Sequence, residues 1–193
     1  MTKPVVLASS SPRRRELLEK TGLEFIVDAA EINEHHGRRM KPAELARTIS
    51  LEKAKAVATR HPCAIIIAAD TLGVLDGRLL GKPRNKDDAR NMLERMGGKC
   101  HRVVTGFTIL DTDTGKAISK AVETKVYFRK LDREEIEGYV QTGEPLDKAG
   151  AYAIQGLGAL LVEKIEGDYF NVIGLPLSAL AQELKRFGVK LPA

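Results

Sequence analysis

The sequence predicts an α/β fold built on a mixed β-sheet, and three patterns along the chain indicate it. Residues 64–69 (AIIIAA) form a continuous apolar run rich in β-branched residues, which is typical of a strand covered on both faces. Residues 42–60 place apolar side chains at helical spacing, whereas residues 117–128 show the period of two that is typical of a strand. Helices and strands alternate without an internal repeat or linker, so we expect a single domain over residues 1–193.

A serine-rich turn joins the first predicted strand to the first predicted helix. Residues 5–8 are apolar and predict a short strand. Ser11 is a good helix N-cap, and Pro12 suits the first helical position. We therefore predict a helix over residues 13–21, which ends at Gly22.

The second predicted helix, over residues 42–60, has a lysine on its apolar face. Ala46, Ile49 and Val57 share this face with Lys53. A lysine in such a position either extends its ammonium group to solvent, which is the commoner outcome, or meets an anion.

Capping residues and turns divide the rest of the chain into further elements. The predicted elements are a helix from Asn85 to the glycines at 97–98, strands over 102–110 and 117–128, a helix from Asp132 to Thr142, a strand over 159–165, a turn at Gly167 and Asp168, and a helix over 176–187. Residues 143–158 contain four glycines among polar and charged residues, and this density predicts a binding loop.

Composition and charge narrow the classes of partner. The chain has 31 Lys and Arg against 26 Asp and Glu, and the net charge of +5 suggests an anionic partner such as nucleic acid, an acidic membrane or a phosphorylated small molecule. No apolar run approaches the roughly 18 residues of a membrane-spanning helix, and the amino-terminal apolar stretch is too short for a signal peptide. We therefore expect a cytoplasmic protein that does not bind a membrane.

The serine-rich turn is the first candidate binding site. A turn from a strand into a helix presents backbone N–H groups and the positive end of the helix dipole, both of which suit a phosphate group. Ser9 would line this turn, and Arg13 and Arg14 would add bidentate donors for phosphate oxygens. The alternative is that the serines only cap the helix and the arginines are solvated.

Asp70 and Thr71 form the second candidate, at the predicted carboxyl end of the strand over residues 64–69. Open α/β sheets usually bind their ligands at this end. A carboxylate there can hold Mg²⁺ or act as a general base toward water. The alternative is that Asp70 only forms a turn.

The third candidate is a scattered set of polar residues, Glu34, Lys53, Lys82 and Lys148, and Gln155 is considered beside it. Lys53 and Lys82 could meet phosphate groups, although the GKP sequence around Lys82 is not a Walker A loop. Glu34 lies in a polar connector and reads most simply as a surface residue, and Gln155 reads most simply as a polar loop residue. The amide of Gln155 could nevertheless recognise a base edge through its paired donor and acceptor. Zinc-ligand spacing, GxSxG and the dinucleotide-binding glycine motif are all absent from the sequence.

Five sequence blocks together resemble the Maf family of nucleoside triphosphate pyrophosphatases, and they cover essentially the whole chain. They are SSSPRRRELL (9–18), AADT (68–71), GKP (81–83), GEPLDKAGAYAIQG (143–156) and GDYFNVIGLPL (167–177). The resemblance implies an elongated Maf/Ham1-like (ITPase-like) mixed-sheet fold, with two lobes around a central cleft, and a homodimer. It also implies hydrolysis of the α-β phosphoanhydride bond of a nucleotide with a divalent cation, either Mg²⁺ or alternatively Mn²⁺ or Co²⁺.

The resemblance also implies roles for particular residues. Asp70 falls at the position of the catalytic acid/base, and Glu34 with Asp70 falls where a metal is held. The combination of Arg13, Thr71 and Gln155 is similar to the subgroup that prefers dTTP and UTP. The residues that fall at phosphate-binding positions are Ser9, Arg13, Arg14, Lys53 and Lys82.

The resemblance implies that such an activity prevents the incorporation of unwanted nucleotides, including modified pyrimidine nucleotides. Two other function classes stay open. The first is a nucleotide-binding regulator of cell division, the role suggested by the older septum-formation name of the family. The second is a nucleic-acid module, motivated by the net charge; an aromatic content of 5% and the absence of a reader motif weigh against it. We therefore expect a nucleoside triphosphate as partner and no nucleic acid.

Overall fold

The computed structural model describes residues 3–30, 32 and 40–191, and these form seven strands and six α-helices. The strands are β1 (Val5–Leu7), β2 (Ile26–Val27), β3 (Ile65–Leu75), β4 (Arg78–Leu80), β5 (Cys100–Asp111), β6 (Ala117–Phe128) and β7 (Val162–Glu166). The helices are α1 (Pro12–Glu19), α2 (Pro42–Ala58), α3 (Lys86–Met96), α4 (Arg133–Gln141), α5 (Tyr169–Ile173) and α6 (Leu177–Leu184). Short 3-10 turns cover Glu144–Asp147, Ala149–Ala151, Leu157–Leu161 and Lys185–Phe187. None of the described helices is both long enough and apolar enough to cross a membrane.

The strands form one mixed sheet, which confirms the predicted fold class. Their order is β2-β1-β3-β5-β6-β7, and β4 pairs with β3 outside this path. Strand β1 is parallel to both β2 and β3, with Val6 beside Ile66 in the second pair. The β3–β4 and β6–β7 pairs are antiparallel.

The chain divides into two compact units, whose boundaries fall within β3, β5 and β6 and at the end of α5. Unit 1 comprises the described residues of Met1–Thr71, Thr105–Val122 and Gly174–Ala193, and unit 2 comprises Leu72–Val104 and Glu123–Ile173. The expectation of a single domain over residues 1–193 stays a prediction.

Each unit has its own hydrophobic core. In unit 1, Val6 of β1, Val57 of α2 and Ile66 of β3 are fully buried in one cluster. In unit 2, the cluster includes Leu93 of α3 and Phe128 of β6. The apolar run that predicted a covered strand therefore does lie in a core.

The predicted helix starts agree closely with the structure. Ser11, Asn85 and Asp132 are the N-caps of α1, α3 and α4, and each side chain accepts a hydrogen bond from the backbone N–H three residues later. Asp132 also forms a reciprocal capping box with Glu135. These boundaries were predictable because the capping chemistry is local.

The prediction that the strand over residues 64–69 ends at Asp70 and Thr71 is wrong. Strand β3 continues to Leu75, so both residues lie inside the strand. The continuation pairs with β4 through a tight turn, in which Asp76 has a φ of 50° and Gly77 a φ of 76°. An Asp-Gly pair between apolar stretches is a strong hairpin signal, and it marks the strand end that the sequence reasoning missed.

Three further elements differ from the predictions. Strand β2 was missed because its two residues are too few to show a period, and both are exposed. The sequence predicts only a turn at Asp168, whereas helix α5 begins at Tyr169; Asp168 Oδ1 accepts a hydrogen bond from Phe170 N–H at 2.7 Å. The strand predicted over 159–165 begins only at Val162, because the preceding residues form the 3-10 turn Leu157–Leu161.

A buried histidine lies in the core of unit 2 and makes its stability sensitive to acid. His101 is 2% exposed, and its Nε2 lies 2.8 Å from the hydroxyl oxygen of Tyr152. Its ring makes edge contacts with Phe128 and Tyr152. Its Nδ1 has no hydrogen-bond partner within the described ranges. Burial lowers the pKa of His101 from 6.5 to about 4, so between these pH values the unfolded chain binds a proton that the folded chain does not.

We expect the free energy of unfolding to fall as the pH drops from 6.5 to 4, with about 3 kcal/mol of the fall due to His101. The measurement is urea unfolding across this pH range, for the wild type and for His101→Phe combined with Tyr152→Phe. The double variant removes both hydrogen-bonding groups and keeps the aromatic volume, so it should fold and lose that part of the pH dependence. The same pH slope in both proteins would contradict the assignment.

Candidate active site

The turn between β1 and α1 is organised by hydrogen bonds among its own residues. Ser9 Oγ accepts a hydrogen bond from Ser11 N–H at 3.3 Å, and Ser11 Oγ accepts one from Arg14 N–H at 3.4 Å. The turn therefore leads directly into the positive end of α1. Arg13, next to the cap, is half-buried and makes no hydrogen bond or ion pair with the described part of the chain. Its guanidinium group is thus available to an external anion.

Arg14 connects three segments of unit 1. Its Nε donates to the carbonyl oxygen of Gly174 at 2.8 Å, its Nη1 to Ser9 Oγ at 3.3 Å, and its Nη2 to Thr71 Oγ1 at 3.0 Å. A guanidinium group is planar, and hydrogen bonds from three of its nitrogens fix that plane. The structure therefore gives Arg14 a structural role beside the predicted role in phosphate binding.

Asp70 and Lys53 form an ion pair inside unit 1. Lys53 Nζ lies 2.6 Å from Asp70 Oδ1, and the side chains are 18% and 11% exposed. Of the two outcomes considered for a lysine on the apolar face of α2, the structure shows contact with an anion. Within the described residues, Oδ1 is the bonded oxygen of Asp70, and the lysine holds this carboxylate in one orientation.

Thr71 follows Asp70 in β3, and its side chain connects this strand to Arg14. Its Oγ1 lies 2.9 Å from Thr105 Oγ1 and accepts from Arg14 at 3.0 Å. Gly174 lies beside it with a φ of 124°, and a Cβ at this glycine would be 3.2 Å from Thr71 Oγ1. A larger residue at position 174 would therefore be strained and would press on the Arg14 and Thr71 pair.

The position of Lys53 depends on close packing of α2 against β5. Gly106 of β5 lies against the backbone of α2, where a Cβ would be 2.2 Å from the carbonyl carbon of Ala46 and 2.5 Å from the nitrogen of Arg47. Both distances are far below any real contact. Only glycine allows the helix to lie this close to the strand.

Unit 2 carries the other two predicted binding residues that the structure describes. Lys82 is exposed in the turn after β4, where the carbonyl oxygen of Gly81 accepts a hydrogen bond from Gly150 N–H at 3.0 Å. Gln155 is exposed between two 3-10 turns. Neither side chain is hydrogen-bonded to another residue of the described ranges. Both side chains are thus available for contact with a ligand.

The predicted metal ligands are Glu34 and Asp70, and Glu34 lies outside the described residues. The described residues include no group of three or more His, Cys, Asp or Glu side chains that could hold a metal ion. Mg²⁺ is usually held by one or two protein carboxylates together with substrate phosphates. The mostly buried carboxylate of Asp70 fits this kind of shared coordination.

Sequence reasoning missed several residues that organise these groups. Gly106 and Gly174 allow close approaches, Thr105 contacts Thr71, and Glu144 accepts hydrogen bonds from Leu157 N–H and Gly158 N–H. The glycine-rich composition of residues 143–158 indicates a functional loop and could have drawn attention to Glu144. The two close approaches left no local signal, because they depend on segments distant in the sequence.

Comparison with solved structures first identifies the class of fold. The chain resembles the HAM1 protein from Coxiella burnetii with a TM-score of 0.55 at 14% identity, over 96% of this chain and 100% of the other. At this identity the likeness concerns the fold alone. It confirms the Ham1-like fold that the sequence resemblance implies.

Sequence comparison then identifies the family. The model of the family described as Maf-like protein matches residues 4–187, so the chain belongs to the Maf family. It is 51% identical over 189 residues to a dTTP/UTP pyrophosphatase of Thermoanaerobacter sp. (strain X514), covering 97% of this chain and 98% of the relative. It is 48% identical over 184 residues to a dTTP/UTP pyrophosphatase of Symbiobacterium thermophilum, covering 95% and 94%. The resemblance stated from the sequence blocks is therefore confirmed.

Proposed function

We propose that this protein is a nucleoside triphosphate pyrophosphatase that hydrolyses dTTP and UTP to the monophosphate and pyrophosphate. The observation that carries this proposal is the placement of two neighbouring residues of β3 in unit 1. Lys53 fixes the carboxylate of Asp70. The hydroxyl of Thr71 accepts from Arg14, which also donates to Ser9 in the turn before α1. A fixed carboxylate and a contact to a turn suited to phosphate therefore occupy successive positions of one strand.

The cationic residues would bind and orient the triphosphate. The turn at Ser9 offers backbone N–H groups and the helix dipole, and Arg13 adds a guanidinium group that is not engaged within the described ranges. Lys53 and Lys82 would neutralise further phosphate oxygens. These contacts would strengthen as negative charge develops on the leaving pyrophosphate.

Asp70 would accept the proton of the attacking water. Lys53 holds Oδ1 of this carboxylate at 2.6 Å, which leaves Oδ2 to take the proton while water attacks the α-phosphorus in line. The bond between the α-phosphorus and the bridging oxygen breaks, and pyrophosphate leaves with that oxygen. Glu34 would hold a divalent cation, whose charge would offset that of the phosphate oxygens. The alternative role of Asp70 is to hold this cation together with Glu34 in place of accepting the proton, because one carboxylate oxygen cannot do both.

The substrate would be a pyrimidine nucleotide, because Arg13, Thr71 and Gln155 form the combination expected of the dTTP and UTP subgroup. The relatives named dTTP/UTP pyrophosphatase support this choice over a regulator without catalysis. In a cell, the activity would remove unwanted nucleotides, including modified pyrimidine nucleotides, before they are incorporated. We propose that the protein acts in the cytoplasm as a homodimer, with a free nucleotide as its partner.

The experiment that tests this proposal is a nucleotide panel scored for pyrophosphate release. It uses UTP, dTTP, 5-methyl-UTP, pseudo-UTP, CTP, ATP and GTP, each with Mg²⁺, Mn²⁺ or Co²⁺. We expect the highest kcat/KM for the uracil and thymine nucleotides and no release without a divalent cation. Equal rates across all bases would contradict the substrate assignment.

Gln155 should determine part of the base preference. Replacing Gln155 by Ala removes one amide that could pair with a base edge, so kcat/KM for UTP relative to GTP should fall by about tenfold. Steady-state kinetics with both nucleotides measure this ratio. Gln182→Ala, on the exposed side of α6, is the matched control, and an unchanged ratio in Gln155→Ala would exclude base recognition by this amide.

A further inference from the structure

The carboxylate of Glu144 binds the backbone of the two residues that follow Gly156. Glu144 Oε2 accepts a hydrogen bond from Leu157 N–H at 3.0 Å, and Oε1 accepts one from Gly158 N–H at 3.0 Å. Two successive N–H groups of a surface loop thus point at one internal anion. The loop binds a side chain of the same protein, whereas such N–H pairs often bind an external anion.

A buried tyrosine connects this carboxylate to the core of unit 2. Tyr139 of α4 is 5% exposed and donates its hydroxyl hydrogen to Glu144 Oε1 at 2.8 Å. The same hydroxyl oxygen accepts a hydrogen bond from Ala153 N–H at 3.3 Å. Segment 153–158 is therefore fixed to the core on both sides of Gln155.

Two glycines of the segment pack closely against these groups. A Cβ at Gly156 would lie 2.3 Å from Glu144 Oε2, and one at Gly158 would lie 2.7 Å from the hydroxyl oxygen of Tyr139. The backbone therefore follows the surface of the Glu144 carboxylate without a gap. Any movement of this carboxylate would move the backbone on which Gln155 is carried.

Glu144 is held in its charged form. Burial would raise its pKa, but hydrogen bonds from Gly158 N–H, the Tyr139 hydroxyl and Leu157 N–H outweigh burial and lower it. Hydrogen bonds to a charged acceptor are roughly twice as strong as neutral ones. A glutamine has the same shape, but its amide nitrogen would face a donor and at least one of the three bonds would be lost.

We propose that Glu144 is a positioning residue for base recognition, which fixes segment 153–158 so that the Gln155 amide meets the pyrimidine base in one orientation. This inference rests on the proposed function and adds to it a residue that need not touch the nucleotide. Its effect passes through Gln155, so it should appear in the preference among bases.

The test is a double-mutant cycle with Glu144→Gln and Gln155→Ala, in which kcat/KM for UTP relative to GTP is measured. If Gln155→Ala lowers this ratio about tenfold, Glu144→Gln should lower it by about threefold to tenfold, mainly through a higher KM for UTP. The double variant should match Gln155→Ala alone, at about tenfold, because Glu144 acts through that side chain. Glu163→Gln, an exposed glutamate of β7, is the control and should leave the ratio unchanged.

A purely structural role would give a different result. A Glu144→Gln variant that lost activity equally toward UTP and GTP would overturn the inference, as would a double variant with additive losses. Should Glu144→Gln not fold, Tyr139→Phe removes one donor to Glu144 together with the acceptor of Ala153 N–H, and it should lower the same ratio; an unchanged ratio there would also overturn the inference. If the wild type releases no pyrophosphate from any nucleotide, the proposed function fails and the inference fails with it. If the wild type is active and Glu144→Gln leaves kcat/KM for UTP relative to GTP unchanged, only the inference is overturned.

Discussion

Replacing Asp70 by Asn should reduce pyrophosphate release from UTP by about a thousandfold, the middle of the range for loss of a general base. Asn keeps a carbonyl oxygen that can still accept the hydrogen bond from Lys53, so the fold should survive. It cannot take a proton from water, and it is a poorer ligand for a divalent cation. The measurement is kcat for UTP hydrolysis with saturating Mg²⁺, together with a thermal unfolding curve.

Asp76→Asn is the matched control for the same chemical change. Asp76 lies in the β3–β4 turn with a φ of 50°, a conformation that Asn also adopts readily, and its side chain is 64% exposed. Its replacement should leave kcat unchanged. A folded Asp70→Asn variant with a rate near that of the wild type would show that hydrolysis does not require Asp70.

Replacing Gly106 by Ala should lower the free energy of unfolding by about 3 kcal/mol or more, because overpacking against a backbone cannot be relieved by a rotamer change. The new Cβ would be 2.2 Å from the carbonyl carbon of Ala46, so α2 must move away from β5. This helix carries Lys53, and its displacement should lengthen the 2.6 Å contact with Asp70. Urea unfolding measures the stability, and kcat/KM for UTP under folding conditions measures the effect on the site.

Gly138→Ala is the control for this substitution. Gly138 lies inside α4, where an added Cβ meets nothing within 4 Å, so Ala should stabilise the helix by up to about 1 kcal/mol. A Gly106→Ala variant as stable as the wild type would show that α2 does not depend on this close approach.

Local chemistry explains which parts of the fold could be predicted from the sequence. Helix caps such as Ser11 and Asp132 act within three residues, and β6 was predicted at its observed bounds, Ala117–Phe128, from its period. The continuation of β3 beyond Asp70 was missed because its partner β4 is only three residues long. The Asp-Gly turn between them was the readable signal.

The candidate site was predictable as a set of residue types, and its contacts were not. Two features can be recognised separately from the sequence: a turn with serines and arginines, and an acidic residue after an apolar strand. The bonds from Arg14 to Thr71 and Gly174 join segments 57 and 160 residues apart, so no local pattern encodes them. The ion pair of Lys53 with Asp70 was one of two outcomes that the apolar face of α2 left open, and only the packing of α2 beside β3 decides between them.

The products that the wild-type protein forms from UTP show directly whether it is a pyrophosphatase. The protein is incubated with Mg²⁺ and a large molar excess of UTP, and UMP, UDP, pyrophosphate and orthophosphate are quantified over time. We expect many turnovers per protein, with UMP and pyrophosphate formed in equal amounts. Formation of UDP and orthophosphate, or binding of UTP without turnover, would contradict this expectation.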